Sequence, residues 1–146
     1  MVEIRPWLYV GSYRESMDEH LLALYQIDAV LQLAAPRPSP GCETLVLHVE
    51  DGEPLAAETL RRGVQFAAAA LRAERRCLIA CGAGISRSVV FATAALWELE
   101  RLPLLTAAAE VKRAHADAVF HPVLWDSLVS YTGEDVSFRD VLLLGL

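Results

Sequence analysis

Apolar residues along the chain form several short runs separated by turn signals, with longer stretches at helical spacing between them. Val2 to Val10 alternates loosely around Pro6 and predicts one or two short extended pieces, closed by Gly11. Ser16 or Asp18 can cap a short helix through Tyr25, with Leu21, Leu22 and Tyr25 turned inward. Ile27 to Ala34 has the content of a buried central strand. The prolines at 36, 38 and 40 with Gly41 then make a rigid loop, and Thr44 to Val49 returns as a strand. Leu55 to Glu74 is the longest helix candidate. Leu60, Val64, Ala67 and Leu71 repeat on one face, and Arg61, Arg62 and Arg72 lie off it as a solvated face. Cys77 to Cys81 has the length of a buried strand. Ser88 to Leu99 is apolar almost all round, as expected of a helix covered on both sides. Thr106 offers an N-cap for a helix through Ala116, and Pro122 suits the first turn of another from Val123 to Tyr131. Phe138 to Leu146 carries Val141, Leu142, Leu143, Leu144 and Leu146. It is expected to pack back onto the domain, with a dimer contact as the alternative.

Strands alternating with helices predict an α/β fold: a central, mostly parallel sheet with helices on both faces. At 146 residues, residues 1–146 are expected to form a single domain. The composition, 54% hydrophobic and 22% charged, supplies a sizeable core and excludes a disordered chain. A net charge of −6 argues against general nucleic-acid binding, while leaving room for a local positive pocket. Cys42, Cys77 and Cys81 are an odd set with no framework spacing, which suits a reducing compartment. There is no signal-like segment and no apolar stretch of membrane-spanning length, so a cytoplasmic location is expected. His20, His48, His115 and His121 lack metal-binding spacing. His115 and His121, which flank Asp117, are assigned a structural role. No metal and no cofactor is expected.

The chemistry concentrates between Cys77 and Leu99. A strand enters Cys81-Gly82-Ala83-Gly84-Ile85-Ser86-Arg87 and a helix leaves it, so backbone N–H groups can converge on an anion. Five residues separate Cys81 from Arg87, enough to curl around a tetrahedral oxyanion. Gly82 and Gly84 relieve the cost of positive φ and of close backbone approach. First-turn N–H groups of the helix lack intrahelical acceptors and can take phosphate oxygens, and their field favours thiolate over thiol. Arg87 can grip two oxygens with its rigid fork. Ser88 can donate its hydroxyl to the sulfur. Cys77, inside the strand, reads as a buried small residue.

This stretch resembles the signature of the cysteine-dependent protein phosphatases, most closely the dual-specificity subgroup. The family pattern is histidine, cysteine, any residue, alanine, glycine, any residue, serine, arginine, serine. Here Ala80 replaces the histidine, and Cys81, Ala83, Gly84, Ser86, Arg87 and Ser88 match. Ile4, Pro6, Leu8-Tyr9 and Gly11 are similar to the family's opening run, and the helical end is also similar. The resemblance implies a phosphate-binding loop between a central strand and a helix, with a phosphocysteine intermediate on Cys81. Gly82, Ala83, Gly84, Ile85, Ser86 and Arg87 would hold the substrate phosphate.

Ester cleavage by a thiolate needs a proton for the departing oxygen, which a loop carboxylic acid can supply. Glu50-Asp51-Gly52-Glu53-Pro54 follows a predicted strand, where such loops bear function. The family places its aspartate about thirty residues before the nucleophile. Asp51 precedes Cys81 by thirty, so the resemblance assigns the acid to Asp51, with Glu50 and Glu53 as alternatives. The implied activity is hydrolysis of phosphotyrosine, and of phosphoserine or phosphothreonine, in phosphorylated proteins or peptides. The alternatives are a phosphate-binding module that turns over poorly, for which Ala80 speaks, and a phosphatase of small molecules or RNA ends.

Overall fold

The computed structural model describes residues 1–145 and contains a five-stranded sheet. The strands are β1 (Val2–Arg5), β2 (Leu8–Ser12), β3 (Ile27–Gln32), β4 (Glu43–Val46) and β5 (Arg76–Cys81), in the order β1-β2-β5-β3-β4. β1 runs antiparallel to β2 and the other pairings are parallel, as the alternation of strands and helices predicts. β5 takes the centre because it is buried from Cys77 to Cys81 and has no polar side to show water. Its neighbours hold it in register, Ser12 opposite Cys81 on one side and Gln32 opposite Ala80 on the other.

Successive residues of β5 point to opposite faces. Cys77, Ile79 and Cys81 enter the larger core, shared with α3 (Ala57–Arg72), α4 (Arg87–Glu100), α5 (Leu104–Ala114) and α6 (Pro122–Thr132). Leu78 and Ala80 enter a smaller cluster with Tyr9, Val30 and Leu22, the last on α2 (Glu19–Leu24). The short α1 (Tyr13–Ser16) joins β2 to α2. Helices therefore cover both faces. α4 is buried continuously from Ser88 to Leu96, which explains its all-round apolar sequence. Gly63 lets α3 and α4 close together, since a Cβ there would lie 2.5 Å from the Phe91 ring.

Several boundaries differ from the sequence reading. β4 stops at Val46, although Leu47 and Val49 still donate from their N–H groups to Gln32 and Leu33. Asp18 caps α2 by accepting from the Leu21 N–H at 3.1 Å, whereas Ser16 is buried and Ser12 caps α1. Leu71 shares the angular face of Leu60 and Val64 but is 38% exposed, while Ala70 beside it is buried. Thr106 is no N-cap: α5 starts at Leu104, and Glu134, distant in sequence, accepts its first N–H at 3.1 Å. α6 begins with Pro122 as expected and ends at Gly133 in the left-handed region. The C-terminal α7 (Phe138–Leu142) docks through Val141, while Leu142 and Leu143 face outward. Leu146 lies outside the described residues. Among these, no helix is long and apolar enough to cross a membrane.

Candidate active site

The loop from Gly82 to Ser86 leaves the end of β5 and enters α4. Its carbonyls are tied outward to the scaffold. Gly82 O accepts from the Tyr13 N–H at 3.2 Å and Ile85 O from the Val119 N–H at 2.7 Å. The Nε2 of buried His115 lies 2.8 Å from Gly84 O, a contact that requires the proton on Nε2. With these carbonyls turned away, the N–H groups of residues 83–86 make no backbone or side-chain hydrogen bond among the described residues. A row of free amides at the start of a helix is a ready anion cradle.

Gly84 is required on two counts. Its φ is +76°, and a Cβ would stand 2.6 Å from the carbonyl carbon of Gly11 and 2.7 Å from its oxygen. The loop therefore lies directly on the backbone of β2. Gly82, by contrast, does not adopt the positive φ expected of it, and a Cβ there would meet only the end of the flexible Arg87 side chain, Nη2 at 2.9 Å.

Cys81 sits at the bottom of the loop, and its thiol donates to Ser88 Oγ at 3.2 Å. Ser88 is fully buried behind it. Arg87 curls back over the loop, donating from Nη1 to Val49 O at 2.9 Å, with Nε 3.9 Å from Asp51 Oδ1. Arg87 Nε and Ser86 Oγ are buried without a hydrogen-bond partner among the described residues. Such groups are costly unless something accepts from them. Cys77 is the inert contrast: full burial pushes its thiol up to about 12, partly offset by the Leu31 backbone.

A cavity of about 110 Å³ brings together Asp51, Cys81, Ala83, Ile85, Ser86, Arg87 and His121. Gly82, Gly84 and Ser88 do not line it: Gly82 is exposed, and Gly84 and Ser88 are buried. Glu50 and Glu53 do not reach it; Glu50 instead pairs with His48 at 2.9 Å. The structural role expected of the pair holds for His115, whereas His121 lines the cavity. His115 fastens the loop and His121 faces the cavity, because the turn after α5 folds over the loop. Sequence spacing carried no sign of either role.

Ala80 points into the smaller cluster on the face it shares with Gln32. There Gln32 Nε2 donates to Ser16 Oγ at 2.9 Å, and Ser16 Oγ donates to Tyr13 O at 2.6 Å. Tyr13 is the residue whose N–H holds Gly82, so a buried polar relay runs from β3 to the loop. No sequence motif marked these three residues.

A sheet of this order, with a Cys-x5-Arg loop between its central strand and a buried helix, defines a protein tyrosine phosphatase-like fold. Over 136 residues the chain is 32% identical to human dual specificity phosphatase 28, covering 90% of this chain and 77% of the relative. The chain belongs to the dual-specificity phosphatase family. The crystal structure of human DUSP28 superposes with a TM-score of 0.83 at 30% identity, covering 91% of this chain and 96% of that one. Human dual specificity protein phosphatase 12 is 34% identical over 111 residues, and there the match spans 70% of this chain but 33% of the relative. No family model matches the chain.

Proposed function

We propose that the chain hydrolyses phosphotyrosine, and also phosphoserine and phosphothreonine, in proteins through a phosphocysteine intermediate. Its family membership supports a protein phosphatase. The finer reading rests on one observation: a thiol, a guanidinium and a carboxylate line the same small cavity, under a row of free amides.

In the first step the Cys81 thiolate attacks phosphorus in line. The S–P bond forms as the ester P–O bond breaks, and Asp51 passes its proton to the departing oxygen. The N–H groups of residues 83–86 and the Arg87 fork hold the equatorial oxygens, where charge develops. In the second step Asp51 takes a proton from a water whose oxygen attacks phosphorus. The P–S bond breaks, Ser88 donates to the departing thiolate, and inorganic phosphate leaves. Protein groups supply the nucleophile, the clamp and the acid, so the cycle is expected to run with a chelator present. At about 110 Å³ the cavity takes roughly three to four waters by liquid volume, room for a phosphoryl group and its ester oxygen. Admission of short side chains as well as tyrosine is what the dual-specificity resemblance implies for such a site.

Matched phosphotyrosine and phosphothreonine peptides test this reading. Release of phosphate from both supports it, and turnover of phosphotyrosine alone would remove the serine/threonine part. A phosphate-reading module is the second interpretation, favoured by Ala80. Tight phosphopeptide binding with no phosphate release would select it.

A further inference from the structure

The phosphate cavity continues into a groove. It shares Asp51 and His121 with a neighbouring hollow of about 280 Å³ that also touches Gly52, Pro122 and Val123. Val123 is shared in turn with a third hollow, of about 380 Å³, which reaches Pro54, Asp126 and Ser130. The three share lining residues in series, leading from Cys81 along the loop at residues 50–55 and the first three turns of α6. We infer that this groove seats the substrate's peptide chain on one side of the phosphorylated residue, and that it selects a basic side chain there. The inference rests on reading the Cys81 cavity as the phosphate site.

The charge of the groove carries the selection. Neither of the two outer hollows is lined by lysine or arginine. Asp126 lines the outer one, is exposed, and forms no ion pair among the described residues. Glu53, between the lining residues Gly52 and Pro54 in sequence, is exposed but lines neither hollow. Arg87 belongs to the phosphate cavity, where the bound phosphoryl group would engage it. Ser127, at the groove floor, is already committed: its Oγ accepts from the Leu55 N–H at 3.0 Å and donates to Val123 O at 3.1 Å. Half-exposed Val123 and Pro122 give the path an apolar wall for the stem of a long side chain. A glutamate or a second phosphate in this groove would face the unpaired carboxylate of Asp126.

The spacing fixes where the preference falls. Asp126 follows His121 by five residues, about 7.5 Å along a helix at 1.5 Å per residue. An extended peptide covers that in about two to three residues. The basic residue is therefore expected two to four positions from the phosphorylated one, on one side.

The test uses phosphotyrosine peptides carrying arginine or glutamate at each position from two to four on either side. Hydrolysis is followed by kcat/KM, and affinity for the Cys81→Ser protein by fluorescence anisotropy. Arginine is expected to exceed glutamate by about two- to five-fold at the favoured position, the scale of one exposed ion pair, with the difference shrinking in high salt. Asp126→Lys is expected to reverse that preference while leaving hydrolysis of p-nitrophenyl phosphate unchanged. Equal use of both peptides, or a preference unaltered in Asp126→Lys, would overturn the inference. Absence of turnover with the binding preference intact would sink the hydrolase reading and leave the groove standing.

Discussion

Replacing Gly84 with alanine separates what the phosphate loop needs from what a tight turn needs. At φ +76° a β-carbon costs about 1–2 kcal/mol whatever surrounds it. Here the new carbon also lies 2.6 Å from the Gly11 carbonyl carbon and 2.9 Å from the Ser12 nitrogen, both backbone atoms that cannot swing aside. Restoring a contact of 3.4 Å from 2.6 Å requires a movement of about 0.8 Å between loop and β2. Displacement of a positioning element by about 1 Å costs on the order of 100-fold in rate. Gly133→Ala is the control, because Gly133 has φ +73° and nothing within 4 Å of its Cβ position. Gly133→Ala is expected to lose about 2–8 °C in Tm, the scale for about 1–2 kcal/mol in a domain of this size, and Gly84→Ala at least as much. Gly84→Ala alone is expected to lose about 100-fold in kcat/KM toward p-nitrophenyl phosphate. Equal activity of the two variants would refute the claim that the Gly84–Gly11 approach positions the loop.

Asp51→Asn is expected to slow hydrolysis of a phosphopeptide by roughly 100- to 10,000-fold and to spare aryl esters with good leaving groups; equal loss on both would reject the acid. Ser88→Ala, which leaves the Cys81 sulfur without its 3.2 Å partner, is expected to slow breakdown of the intermediate and produce a burst of product. A steady rate with no burst would remove Ser88 from that step. Ser16→Ala strands the buried Gln32 Nε2 and is expected to cost about 1–3 kcal/mol by urea unfolding; an unchanged midpoint would show that the relay to Tyr13 contributes nothing. Burial holds Cys77 protonated up to about pH 12, so iodoacetamide is expected to spare it until the chain unfolds. Labelling of Cys77 at the rate of an exposed thiol would contradict that burial.

What was legible in the sequence was local. The Cys81–Arg87 spacing, the buried run before it and the all-apolar helix after it each follow from neighbouring residues, and the fold assembled them as expected. Contacts between distant segments left no trace in spacing or composition. His115 and Val119 hold the loop from 30 or more residues away, and Glu134 replaces the N-cap expected at Thr106. The polar relay beside Ala80 uses Ser16 on one element and Gln32 on another, joined by the sheet's register. Leu71 departs from the expectation too, since helical period fixes a residue's angle but not which neighbouring segment covers it.

The most direct measurement is phosphate release from p-nitrophenyl phosphate and a phosphotyrosine peptide, in chelator, by the parent chain and by Cys81→Ser. Acid-quenched samples of the parent would be searched by mass spectrometry for phosphate on Cys81. The expected result is turnover by the parent, none by Cys81→Ser, and a phosphorylated peptide containing Cys81. Equal turnover by both proteins, or phosphate release with no adduct on Cys81 even in the Ser88→Ala background, would contradict the thiolate mechanism.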